Sequence, residues 1–307
     1  MTKQLHILNG YATYHLFKET RIEGDVCVWD EILSEGPSVY EVASQDFWKI
    51  RSDFVSQTFG RGEEAYSNII EQFEMIKSFS AYDELVLWYE FDLFCQVNLM
   101  ALLSWLFRVK AWQKCNIHLI CVGKQPGYGK LIGLGQLPVR EFKDLLEGRI
   151  HLSEPNLSYA NQIWSAYTSQ DPRELAMATV PHPVFTYLAG AIKAHFKRFP
   201  DPTGFNEIEN EILTFIAANQ QRKLDELVRY MLQWQHYYGF GDLQYYRYIK
   251  TLEEFIAVGD DSVRLTRLGE TALKEGIIRK NHPLLDMKMG GTSINQYYRK
   301  GLKLHPR

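Results

Sequence analysis

The chain has no cysteine pair, no long apolar run and no surplus of one charge. Its four cysteines, Cys27, Cys95, Cys115 and Cys121, show no CxxC spacing, and three of them sit inside apolar runs. Cysteine in that setting acts as a small buried hydrophobe, which argues against structural zinc and for a reducing, cytoplasmic compartment. No apolar stretch reaches the roughly 18 residues that span a bilayer. The opening MTKQLHILNG lacks the apolar core and cleavage site of a signal peptide. No membrane association is expected. A net charge of -3 and a pI near 6.3 exclude a whole-chain basic field for nucleic acid or anionic lipid. HExxH, GxSxG, GxGxxG and GxxxxGK[ST] are all missing, which removes the commonest metalloprotease, hydrolase and nucleotide-loop signatures.

What is present is an ordinary globular balance, 46% hydrophobic and 23% charged, over 307 residues, a length that predicts two domains. Four short apolar runs mark the first half: LHIL (5–8), VCVW (26–29), LVLWY (85–89) and IHLICV (117–122). They are rich in β-branched or aromatic residues and nearly continuous, as strands covered on both faces of a parallel sheet read. Helical patterns lie between them: YATYHLFKET after the first run, EEAYSNIIEQFEMIKSF before the third, and LFCQVNLMALLSWLFRVK joining the third to the fourth. Strand-helix alternation predicts an α/β fold with a Rossmann-like parallel sheet of about four strands over residues 1–150.

After Gly123 a glycine-studded loop, GKQPGYGKLIGLGQLP (123–138), leads into a helix, and helical segments then dominate to about residue 199. The turn-rich PDPTG (200–204) closes this helical extension, residues 151–203. Beyond it, NEIENEIL offers Asn206 as N-cap with Glu209 at capping-box spacing. KLDELVRYMLQW gives a second helix, and GDLQYYRYIKTLEEF a third, running to Phe255 with Asp242 as its cap. FIAVGDDSVRLT then reads as a hairpin around a Gly-Asp-Asp turn. Three helices and a hairpin predict a winged-helix-like domain over 204–276, with a tail over 277–307.

Ligands of open parallel sheets sit outside the carboxyl ends of the strands. Here the first run ends in Asn9-Gly10, the second is followed by Glu31 and Glu35, the third ends in Glu90-Phe91-Asp92 and the fourth meets Lys124. Two carboxylates one residue apart can hold a hard cation such as Mg²⁺ through oxygen. Asp92 also fits as the cap of the helix starting at Leu93, and Glu31 and Glu35 fit equally a solvated loop. Five glycines in the 123–138 loop, with Lys124 and Lys130, suit an anion or a plain turn. The resulting expectation is a phosphate-bearing, nucleotide-like ligand, with phosphoester hydrolysis as its furthest extension. Glu90 and Asp92 would hold the metal, Glu31 or Glu35 would orient water, and Asn9, Gly10, Gln96, Lys124 and Lys130 would contact the ligand. The alternative is a regulatory or adaptor protein whose carboxy-terminal domain meets DNA or a protein partner. Gln244, Arg247, Lys250, Arg264 and Arg267 would then face the nucleic acid.

The phrases LHILNG, GDVCVWDEILSEGP, DELVLWYEFDLFCQ and GLGQL, with IWSAYTSQDPREL and TGFNEIENEIL further on, resemble the bacterial family defined by domain of unknown function 1835. The likeness covers most of the chain. It implies an amino-terminal α/β domain joined to a separate carboxy-terminal domain, and it carries no established activity. Where that family has an acid after Asn-Gly, this chain has Tyr11; where it has an imidazole between the two acids, this chain has Phe91. Glu31, Glu35, Glu90, Asp92 and Gln96 stand in matching places. The two departures weaken metal chemistry and leave a binding-only site open.

Overall fold

The computed structural model describes residues 2–60, 63–219, 222–259, 262–276, 279 and 287–307. In chain order the elements are β1 (Gln4–Leu8), α1 (Tyr11–Glu19), β2 (Asp25–Val28), β3 (Gly36–Pro37), α2 (Gln45–Phe59), α3 (Glu63–Lys77), β4 (Glu84–Glu90), α4 (Leu93–Arg108) and β5 (Asn116–Val122). There follow α5 (Glu141–Glu147), β6 (Ile150–His151), α6 (Glu154–Thr168), α7 (Leu188–Lys197), α8 (Glu207–Ala218), α9 (Leu224–Trp234) and α10 (Asp242–Lys250). The last third ends with β7 (Ile256–Val258), β8 (Val263–Leu265), α11 (Arg267–Glu275), β9 (Lys288–Gly290), β10 (Thr292–Ser293), β11 (Tyr297–Lys300) and β12 (Lys303–Pro306).

The main sheet has five strands in the order β2-β1-β4-β5-β6. The four expected strands pair in parallel; the fifth, β6, is two residues long and antiparallel. Near-continuous hydrophobicity follows from burial on both faces. Leu85, Leu87 and Tyr89 of β4 enter a large cluster under α4, whereas Val86 and Trp88 join Leu8, Phe17 and Phe142 beneath α1 and α5. Helix α4 is apolar all round because the sheet covers one side and α6 and α7 the other. Asp92 caps it, accepting a hydrogen bond from the Cys95 N–H (2.8 Å).

Helix α8 has the expected reciprocal box between Asn206 and Glu209. The third helix departs from expectation: Gly241, not Asp242, is its N-cap, and it ends at Lys250 rather than near 255. The Gln244 side chain accepts from the Gly241 N–H (3.0 Å), the N3-to-N-cap half of a capping box. Strands β7 and β8 form a small antiparallel hairpin, and further short hairpins close the chain. Asp260 and Asp261 of the expected turn, and residues 277, 278 and 280–286 of the expected tail, lie outside the described residues. The large apolar cluster runs from Leu5 to Leu304, through the expected boundaries at 150, 203 and 276. Strand β9 pairs in parallel with β3, tying the carboxy-terminal part to the loop after β2. Among the described residues, no helix is long and apolar enough to cross a membrane.

Candidate functional site

Strand β4 leaves the sheet at Glu90, and α4 starts three residues later, so the intervening turn places Glu90, Phe91 and Asp92 at the sheet's carboxyl edge. A cleft of about 520 Å³ opens there. One wall holds Ala12, Glu90, Phe91 and Asp92 with Lys130, Gly133 and Gln136 from the glycine loop; the opposite wall is the α9–α10 segment, including His236, Tyr237 and Gly239. The two walls are locked together. Leu93 N–H donates to the Tyr237 carbonyl (2.6 Å), and Gly239, at φ +66°, packs so closely that a Cβ there would lie 2.4 Å from Asp92 Cγ. Glycine is required at that point on both counts.

The glycine loop has a specific task. Leu134 N–H donates to Glu90 Oε1 (2.8 Å), and a Cβ on Gly133 would sit 2.3 Å from Glu90 Oε2. The loop amides therefore reach one of the protein's own carboxylates. Asp92 is 8% exposed. Among the described residues neither Glu90 nor Asp92 forms an ion pair. Burial first, and then the Asp92 charge, push Glu90 up to about 7. Burial likewise pushes Asp92 up to about 6, against the pull of the Cys95 amide. Glu90, Asp92 and Cys95 each offer a ligand atom within 4.8 Å of the others. The Cys95 thiol is itself raised well above its ordinary range by burial, then by Asp92 and Glu90, so it is no nucleophile as it stands. Behind the pair, Gln96 donates through Nε2 to the Glu90 carbonyl (2.7 Å), and its buried Oε1 has no partner among the described residues.

Other expected ligand residues are dispersed. Asn9 is buried, donating to Cys95 Sγ and accepting from Asn98 (both 3.1 Å). Gly10 caps α1 in extended backbone, and a Cβ there would meet nothing within 4 Å, so neither strain nor crowding demands glycine. Lys130 lines the cleft; Lys124 does not, and its backbone N–H is held by the Tyr187 hydroxyl (2.7 Å).

Glu31 and Glu35 are elsewhere in function, if near in fold. Both Glu31 oxygens are taken by Arg51, Nε at 2.8 Å and Nη2 at 3.0 Å, with both side chains fully buried. Glu35 bridges Arg198 (3.2 Å) and Arg247 (2.7 Å). These pairs hold residues 29–38, a largely buried loop whose carbonyls are met by side chains. Arg51 takes the carbonyls of Ile32, Glu35 and Pro37, Arg198 that of Ser34, Tyr167 that of Leu33, and Asn98 that of Glu31. A buried backbone must be satisfied in this way. Neither carboxylate is placed to orient water in the cleft.

Of the residues expected at a nucleic acid, Gln244 is buried in its cap and Arg247 faces inward to Glu35. Lys250, Arg264 and Arg267 are exposed. Sequence reasoning did not single out the α9–α10 wall. Its one signal was QHYYGFG (235–241), an aromatic and glycine-rich break between two helices.

Fold and site together define an α/β protein with a mostly parallel five-stranded sheet and an acidic cleft at its carboxyl edge. A scan against protein-family models finds no match, and a search of the curated proteins finds none either.

Proposed function

We propose that this cleft binds a phosphate-bearing small molecule together with a divalent cation held by Glu90 and Asp92. One observation carries the reading: two carboxylates converge in a cleft, largely out of water, with no basic partner among the described residues. Such a pair needs a proton or a cation to offset its repulsion, and its raised affinity for protons is the same deficit seen from the other side. Two carboxylate oxygens suit Mg²⁺ or Mn²⁺, while Cys95 Sγ would extend the donor set toward Zn²⁺. Lys130 supplies positive charge for phosphate. Because Glu31 and Glu35 are committed to arginines, the reading stops at binding, without hydrolysis. Kinship with the domain of unknown function 1835 family and a cytoplasmic setting belong to the same proposal, the latter supported by four free cysteines.

The test is thermal denaturation with Mg²⁺ or Mn²⁺, alone and with phosphate compounds. A competent site raises the midpoint by mass action, about 2.7 kcal/mol of stabilisation at a hundredfold excess over Kd. Glu90→Gln with Asp92→Asn should abolish the shift; a shift that survives the double substitution overturns the proposal.

A second reading, a winged-helix regulatory module, is supported by the order α8, α9, α10, β7, β8 and by an isolated antiparallel bridge from Arg222 to Val263 of β8. The inward-facing Gln244 and Arg247 make α10 a contact within the chain rather than a groove reader. Duplex DNA retention that weakens with salt and with Lys250→Ala plus Arg264→Ala would favour this reading; no retention at low salt would end it.

A further inference from the structure

Phe91 stands between the two acids, yet it belongs to neither apolar cluster of the core. Its ring lines the cleft beside Tyr237, 5.7 Å away and inclined at 85°. Tyr187 meets it from behind at 6.3 Å and 66°. Among the described residues neither Phe91 nor Tyr237 has a parallel ring partner. Two glycines make room for this wall. A Cβ on Gly190 would lie 2.4 Å from the Tyr237 ring, and one on Gly123 would lie 2.5 Å from that of Tyr187. The fold thus gives up side chains at two positions to seat Tyr187 and Tyr237 beside Phe91, with Tyr237 also packed against the large cluster and Phe91 outside both.

Phosphate and cation explain the carboxylates and Lys130 but leave the rings without a task. A planar heteroaromatic base has the π-face such rings stack on; a bare sugar phosphate does not. The cleft of about 520 Å³ lies within the range of small-molecule sites, roughly 300–1,000 Å³. We propose that the ligand is a nucleotide, with Phe91 and Tyr237 as the residues that select its base. This rests on the cation-and-phosphate reading above and adds the ligand class.

Isothermal titration with AMP, GMP, ribose 5-phosphate and inorganic phosphate, each with Mn²⁺, tests it. Wild type should bind at least one nucleotide about 5- to 150-fold more tightly than ribose 5-phosphate, the range for stacking one base. Phe91→Leu or Tyr237→Leu should drop the nucleotide to the ribose 5-phosphate level, leaving ribose 5-phosphate itself unchanged, while Tyr237→Phe keeps the preference. Equal binding of ribose 5-phosphate and both nucleotides, or a preference untouched by the leucine variants, overturns the inference. If phosphate compounds bind equally but still require Glu90 and Asp92, the cation-and-phosphate reading survives alone. If none binds, both fall. Circular dichroism checks folding, and should Phe91→Leu not fold, the Tyr237 pair decides.

Discussion

Replacing Glu31 by glutamine should be among the most damaging single changes in the chain. The substitution keeps shape and removes one charge. Arg51 then stays fully buried without its counter-ion, a situation that costs about 3–5 kcal/mol. Total stabilities run at about 5–15 kcal/mol, so about a fifth or more is at stake. Arg51→Met should cost more still, since it strips donors from the carbonyls of Ile32, Glu35 and Pro37 as well. Each buried acceptor left unmade adds about 1–3 kcal/mol. Combining Glu31→Met with Arg51→Met restores charge balance but not those carbonyls, so the double variant should fall between wild type and Arg51→Met.

Urea unfolding followed by tryptophan fluorescence reads these differences, and Trp29, fully buried two residues before Glu31, reports on the loop. Midpoint shifts at unchanged slope give the losses directly. If Glu31→Gln costs less than about 1 kcal/mol, or Arg51→Met is no worse than Glu31→Gln, the account of the loop as arginine-held backbone is refuted.

Two further outcomes follow from the cleft. Glu90 and Asp92 titrate higher in the folded chain than their ordinary 4.5 and 3.8, so the native state carries extra protons between about pH 4 and pH 7. This pair's own contribution should favour the folded chain most below that window, decline through it and level off above; the difference between wild type and Glu90→Gln with Asp92→Asn isolates it, and denaturation of both across pH 4–8 checks it. Gly239→Ala should cost about 1–2 kcal/mol for its left-handed backbone, plus the clash with Asp92, and should blunt the Mn²⁺ shift. Gly10→Ala, in extended backbone and open space, should stay within about 1 kcal/mol in the same melts.

The main sheet was legible because its signal is local. Burial on both faces writes itself as unbroken apolar runs, and the four expected strands lie within a residue or two of those found. Caps at Asp92 and Asn206 were legible for the same reason: a cap acts over three residues. Strand β6 was not, since two residues carry no period. Helix α2 was missed as well; its buried positions, Phe47, Arg51 and Val55, include an arginine where an apolar stripe would be sought.

The acids show where local reading ends. Glu31 with Glu35, and Glu90 with Asp92, look alike in sequence, each pair following a strand of one parallel sheet. What separates them is the location of positive charge. Arg51, Arg198 and Arg247 reach the first pair from 20, 163 and 212 residues away, which converts it into scaffolding. No such residue reaches the second pair among the described residues, and the glycine loop that does reach Glu90 brings only amides. A buried carboxylate already matched by guanidinium has little left to offer a ligand, whereas an unmatched one lowers its free energy by taking up a proton or a metal ion. The binding proposed for this sheet edge therefore rests on a deficit of charge, and a deficit is a property of the folded neighbourhood that spacing along a chain does not record.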